Sequence, residues 1–259
     1  MLTIAQRSEL DEHGWLRLPC AIPEDDVQSV LDRVWDDLEH RCGIPRDEPE
    51  RWPEVRPKGF NTLTRSGAFE PTCSQVVRDV INDFLGPNKW EIPNPWGALL
   101  LTFPSKGPWF LPDNSWHLDL QASVQPEADE NPGVQVFAVL EPLAAQGGAT
   151  IVLAGSHRIV RHLAQQPEMI GEGRSKDVTK AVKRAAPSLR DLWSRAPGVD
   201  RENRYLVNPV DVFGIPVQAV EFTGNPGDDI HAPLDHPCSI PKLRQQASHR
   251  DYATGLQAE

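Results

Sequence analysis

The chain has 259 residues, a formal net charge of −11, 25 prolines and four cysteines. That length builds one large domain or two small ones with a substantial core, and the acidic balance argues against nucleic acid and anionic membranes as partners. Cys20, Cys42, Cys73 and Cys238 are scattered without a CxxC spacing, which gives no disulfide framework and no zinc site and fits a reducing cytosol. The first nine residues hold no apolar run of a signal peptide, and no long apolar stretch could span a bilayer, so the expectation is a cytoplasmic protein.

Residues 4 to 12 are predicted as a short helix, followed by a turn at His13-Gly14 and a strand over Trp15 to Leu18. Pro23-Glu24-Asp25-Asp26 opens a helix, with proline in the first turn and acids near the positive end of the dipole. Val27, Val30, Leu31, Val34, Trp35 and Leu38 carry its helical spacing. Residues 43 to 70, rich in Pro, Gly, Arg and Trp, read as a long loop. Ser74 to Leu85 is a second amphipathic helix that stops at Gly86-Pro87.

From about residue 90 the pattern changes to strands. Leu99 to Phe103 is a continuous apolar run, as in a strand buried on both faces. Trp116 to Gln121 is a predicted strand carrying His117 and Asp119. Alternate residues of a strand share a side, so the two can grip one ion. An imidazole nitrogen and a carboxylate oxygen suit divalent iron, and a second histidine would complete a three-ligand face with open positions. Val134 to Leu140 and Ala149 to Leu153 are two further strands, joined by a turn at Gln146-Gly147-Gly148. Residues 160 to 205 are polar, partly basic and helix-prone, and read as an insertion that is either a lid or a solvated surface helix. Val217 to Thr223 is another strand, closed by the turn Asn225-Pro226-Gly227-Asp228. Helices followed by many short strands predict a mainly β protein with flanking helices, a single sandwich or barrel.

Leu99–Pro104, Asn114–Gln121, Gly133–Leu140, Gly147–Arg158 and Val220–Asp228, in this order and spacing, resemble the phytanoyl-CoA dioxygenase family of iron(II)/2-oxoglutarate oxygenases. The resemblance covers residues 5 to 230 and is carried best by Gly-Gly-x-Thr and Gly-Ser-His following a His-x-Asp. It implies a double-stranded β-helix (jelly-roll or cupin-like) core, Fe(2+), 2-oxoglutarate as co-substrate and a small-molecule substrate that is hydroxylated. The implied organisation is one oxygenase domain: a helical part over 1–90, a barrel over 90–230 with the 160–205 insertion, and an atypical tail over 229–259. His117 and Asp119 are the implied iron ligands. Related iron halogenases carry a small residue in place of the carboxylate, so Asp119 favours hydroxylation. Thr150 is read either as a donor to a carboxylate of 2-oxoglutarate or as an ordinary strand residue. His157 is not an iron ligand in the family pattern and reads as a turn histidine bonded to nearby backbone. Trp116 is core or pocket wall.

The family closes its site with a strand after Gly-Asp reading His-Pro-x-x-x-His, then Pro-Asn and Arg-Pro-Arg. The second histidine binds iron, and an arginine eleven residues later pairs with the distal carboxylate of 2-oxoglutarate. Here the chain runs from Gly227-Asp228-Asp229-Ile230-His231 to His236-Pro237-Cys238-Ser239. His231 and His236 keep the five-residue spacing, so His236 is the nominal third ligand. Arg244, although early, is the nominal carboxylate anchor; Arg250 comes too late. Two prolines and an aspartate fall where apolar residues belong, which predicts a poor strand and a loosely packed tail. Reverse translation from Ile230 onward, shifted by one nucleotide, can read SMHPWIIHARSPNCGNRPRIVTMR, which carries the missing pattern. The tail is therefore read either as out of frame or as a diverged terminus. Three functional readings stand: a 2-oxoglutarate-dependent dioxygenase, a catalytically impaired relative that at most binds a ligand, or a cupin-like enzyme with another metal.

Overall fold

The computed structural model describes residues 1–104, 107–113, 116–118, 133–194, 198–233, 238–239 and 255–258. Helix α1 (Ile4–His13) begins with a reciprocal cap: Thr3 Oγ1 accepts from Gln6 N at 3.2 Å, and Gln6 Oε1 accepts from Thr3 N at 2.9 Å. It ends at Gly14, whose φ of 72° is a left-handed conformation that glycine adopts without strain. Strand β1 (Leu16–Leu18) follows, then α2 (Glu24–Cys42), which buries Val27, Val30, Leu31, Val34, Trp35 and Leu38, the residues its periodicity selects. The stretch expected as a loop contains α3 (Asn61–Arg65) and two 3₁₀ turns, Pro49–Arg51 and Glu70–Thr72. Each 3₁₀ turn has a proline in its first two positions, where the fixed φ of the ring suits a tight turn. Ser74 caps α4 (Gln75–Leu85) by accepting from Val77 N at 3.2 Å, and donates its own hydroxyl to Ala21 O at 2.7 Å.

The strands are β2 (Leu99–Thr102), β3 (Val134–Val139), β4 (Ile151–Ala154), β5 (Val210–Val212), β6 (Ile215–Glu221), β7 (Asp229–Pro233), β8 (Cys238–Ser239) and β9 (Gly255–Ala258). Between β4 and β5 lie α5 (Ser156–Ala164), α6 (Pro167–Ile170), α7 (Ser175–Ala185), a 3₁₀ helix (Pro187–Trp193) and a π-helical turn (Asn203–Val207). Two antiparallel sheets form, in the orders β1-β7-β3-β9-β2 and β5-β6-β4-β8. Helix outweighs strand among the described residues, so the fold is mixed and not mainly β.

Two strand expectations change, those for β2 and for the tail. β2 is not buried on both faces: as an edge strand it buries Leu101 while Leu99, Leu100 and Thr102 stay half-buried. β3 and β4 do not pair with each other; the Gly147-Gly148 turn carries the chain from one sheet to the other. Gln146 N donates to both Glu221 carboxylate oxygens, at 3.0 and 3.1 Å, and a Cβ on Gly148 would lie 2.5 Å from Thr102 Cγ2. The tail does contribute strands: β7 sits between β1 and β3, with His231 opposite both Leu16 and Val136. Backbone ladders on both sides hold β7 despite its side chains, because ladder hydrogen bonds need only N–H and C=O groups.

The packing is layered. α2 and α4 cover one face of the first sheet, on Leu16, Leu18, Val136 and Ala138. Phe137, Val139, Val152, Phe222, Ile230 and Ala232 fill the space between the sheets, with the Phe137 and Phe222 rings 5.2 Å apart. α5, α7 and the 3₁₀ helix cover the far face of the second sheet: Ile159, Leu163, Val178, Val182 and Leu192 pack with Ile151, Leu153, Val217 and Ala219. The insertion is thus an outer layer packed on the second sheet and not a solvated surface helix. No described helix is long and apolar enough to cross a membrane.

Candidate metal centre

His117 lies on a segment that is not a strand over its described part, 116–118, where one was expected. The backbone of this stretch is bound by side chains of the insertion instead of by a sheet. Arg201 donates to Leu111 O and Pro112 O, both at 2.7 Å, and Glu202 Oε1 accepts from Leu111 N at 2.8 Å. Trp116 Nε1 donates to Pro112 O at 3.0 Å. Trp193 Nε1 donates to Trp116 O at 3.2 Å, and the Ser175 hydroxyl donates to Leu118 O. Arg201 is 5% exposed and also donates to Asp191 O and Leu192 O, so one buried guanidinium fastens the 111–112 stretch to the 3₁₀ helix. His117 lines a small cavity with Trp116, Leu118, Leu153, Thr179, Val182, Leu192 and Trp193. Trp116 is core and pocket wall at once.

Asp119, His236 and Arg244 lie outside the described residues. Among the described residues no three His, Cys, Asp or Glu side chains come together to hold a metal. A metal on His117 therefore needs donors from outside the described residues. An imidazole, carboxylate and imidazole set fits divalent iron by its chemistry.

Two other described histidines, His231 and His157, lie elsewhere in the fold. His231 is fully buried on β7, and its Nε2 lies 2.6 Å from Asp229 Oδ2, yet neither ring nitrogen nor either carboxylate oxygen makes a well-directed hydrogen bond. By the alternation of β7 this pair shares a face with Leu16, Leu18, Val136 and Ala138, toward the N-terminal helices. Burial pushes the Cys73 thiol upward, and the Asp229 charge adds to that push. His157 lies in the first turn of α5, and its Nε2 donates to Asp11 O at 3.0 Å, a backbone partner distant in sequence where a nearby one was expected. Burial lowers its pKa to about 4, with the bond to Asp11 only partly opposing. Gly155 N also donates to His13 O at 2.8 Å, and a Cβ on Gly155 would lie 2.5 Å from Pro216 O. The Gly-Ser-His element thus docks α1 on α5.

Thr150 is 3% exposed, and its carbonyl accepts from Phe222 N at 2.8 Å. Ile151 and Leu153 pack on the insertion and Val152 packs between the sheets, so alternation puts Thr150 on the Val152 side. The structure does not bring Thr150 to the cavity beside His117. Ser175, Trp193 and Arg201 did not stand out in the sequence. A hydroxyl, an indole and a guanidinium in a polar stretch carry no local sign that they bind carbonyls far along the chain.

No protein-family model matches the sequence, and comparison with curated proteins finds no match. Among solved structures the chain is similar to HygX from Streptomyces hygroscopicus, crystallised with nickel and 2-oxoglutarate bound. That match has 15% identity and a TM-score of 0.51, and covers 100% of this chain and 86% of HygX. AviO1 from Streptomyces viridochromogenes Tue57 matches at 11% identity and a TM-score of 0.47, over 100% of this chain and 95% of AviO1. The apoform of EctD from S. alaskensis matches at 13% identity and 0.48, over 99% of this chain and 75% of EctD. The likeness to HygX shows a shared fold.

Proposed function

We propose that the chain is a non-haem Fe(II)/2-oxoglutarate-dependent dioxygenase, similar to the phytanoyl-CoA dioxygenase family, with a double-stranded β-helix core, that hydroxylates a small organic substrate. The observation that carries the reading is the His117-Leu118-Asp119 spacing in a chain sharing the fold of HygX, which was crystallised with nickel and 2-oxoglutarate. His117, Asp119 and His236 would hold the iron, and Arg244 would anchor a carboxylate of 2-oxoglutarate; Thr150 would reach the co-substrate only from the space between the sheets, not from the cavity beside His117. Bound iron, with 2-oxoglutarate and oxygen, supplies the oxidising chemistry. The chain contributes ligation and orientation, with the apolar side chains Leu153, Val182 and Leu192 beside His117. His117→Ala and Asp119→Ala should each abolish Fe(II) binding in anaerobic titration, since each removes one of three protein ligands. Full iron occupancy in either variant at equal protein and metal concentration refutes the site.

The unsatisfied Asp229–His231 pair favours a second reading, a catalytically impaired relative whose tail is out of frame from about residue 229. Two titratable side chains facing an apolar layer without directed hydrogen bonds are what an unselected sequence would put there. On this reading the chain as given turns over little 2-oxoglutarate, while a chain carrying the shifted tail binds iron tightly and decarboxylates 2-oxoglutarate. Turnover by the chain as given that disappears in His236→Ala would overturn it.

A further inference from the structure

We infer that Ser175 and Trp193 are positioning residues for His117. This rests on the reading of His117 as a metal ligand. In neither sheet do residues 116–118 pair with a strand, so no ladder sets the peptide planes around His117. Both flanking carbonyls are instead taken by the insertion: Trp193 Nε1 holds Trp116 O at 3.2 Å, and the Ser175 hydroxyl holds Leu118 O. Trp116 O belongs to the peptide plane before His117, and Leu118 O to the plane after Leu118, so the two bonds hold both ends of the His117-Leu118 pair. Clamping both ends limits the joint excursion of the backbone dihedrals of His117 and Leu118, and with it the direction in which the imidazole leaves the backbone.

Both clamps sit on well-anchored elements. Ser175 opens α7, whose Val178, Ala181 and Val182 are buried. At 100° per residue, Ser175, Thr179 and Val182 share one face of α7, and Thr179 and Val182 line the cavity beside His117. Trp193 ends the 3₁₀ helix whose Leu189 and Leu192 are buried. Its ring also lines the cavity, and Lys183 Nζ stands 4.8 Å from the ring centroid. Arg201 adds a third fastening upstream, at Leu111 O and Pro112 O. The insertion therefore performs for His117 what a neighbouring strand performs elsewhere.

The test uses the full chain, with Co(II) alone as the probe. Trp193→Phe removes the N–H and keeps a ring; Ser175→Ala removes the hydroxyl; Ser175→Thr keeps one. Trp193→Phe and Ser175→Ala should each weaken Co(II) binding by about tenfold, the usual effect of losing a group that orients a metal ligand. Each should also shift the Co(II) d–d absorption while leaving the thermal midpoint near that of the parent, and Ser175→Thr should restore both metal readouts. Parent-like affinity and spectrum in both variants, with binding abolished in His117→Ala, overturn the positioning role and leave the metal reading intact. If Co(II) binds equally well to His117→Ala, or does not bind the parent, the metal reading fails. Hydrogen exchange over residues 111–118 then decides the clamp by itself. Faster exchange in Trp193→Phe and Ser175→Ala supports it, and exchange as slow as in the parent overturns it.

Discussion

His157 shows how a single buried side chain sets a pH limit. In the folded chain its pKa is about 4, against an ordinary value of 6.5, because burial disfavours the imidazolium. Between these values the unfolded chain binds the extra proton and the folded chain does not, so stability rises with pH across that window. It is complete above pH 6.5 and falls as pH drops toward 4, by about 3 kcal/mol in all at 1.36 kcal/mol per unit. Urea unfolding followed from pH 7.5 to pH 4 should show this slope, and His157→Gln should flatten it. An equal slope in the variant would assign the acid sensitivity to other groups.

At the scale of the element, β7 sets backbone against side chain. Its ladder to β1 and β3 is regular, while Asp229 and His231 are fully buried on the face that meets the N-terminal helices. Polar side chains in such a place lose their hydration, and a close pair lacking directed hydrogen bonds recovers that cost incompletely. His231→Leu alone should destabilise by about 1–3 kcal/mol, because it leaves the polar side chain of Asp229 buried among apolar neighbours without the group beside it. Asp229→Val/His231→Leu should be at least as stable as the parent, matching the apolar environment of Leu16, Leu18, Val136 and Ala138. Urea midpoints of the three proteins check this, and a parent-like single variant would mean that the pair is not energetically coupled. β7 also shows what the sequence could tell. The buried face of α2 was legible because helical periodicity repeats over nineteen residues. β7 was not, because two titratable residues and a proline hide a strand whose register comes from partners far along the chain. The same limit hid the binding of the His117 segment, which depends on Ser175, Trp193 and Arg201. His117 itself was legible as a candidate because its partner Asp119 stands two residues away.

Among the described residues the molecule is two sheets between two helical layers, with a filled apolar space between the sheets. Each helical layer has a separate origin: one precedes the strands, and the other is inserted between β4 and β5. The Gly-Ser-His element joins them, through the bonds of His157 and Gly155 to α1. His117 is held by the inserted layer, so anything that loosens that layer reaches the candidate centre before it disturbs the first sheet.

The pairing of β1 with β7 has a kinetic side. Leu16 meets His231, so the first strand made finds a partner only after almost the whole second sheet has been synthesised. Closing so long a loop before any contact rewards it slows folding, and until then β3 lacks the strand that separates it from β1. Both β1 and β3 present open edges during that wait, and open edges recruit strands from other chains. The Leu16–His231 ladder thus makes yield on expression a race between closure of the first sheet and aggregation, decided by how readily β7 enters its slot.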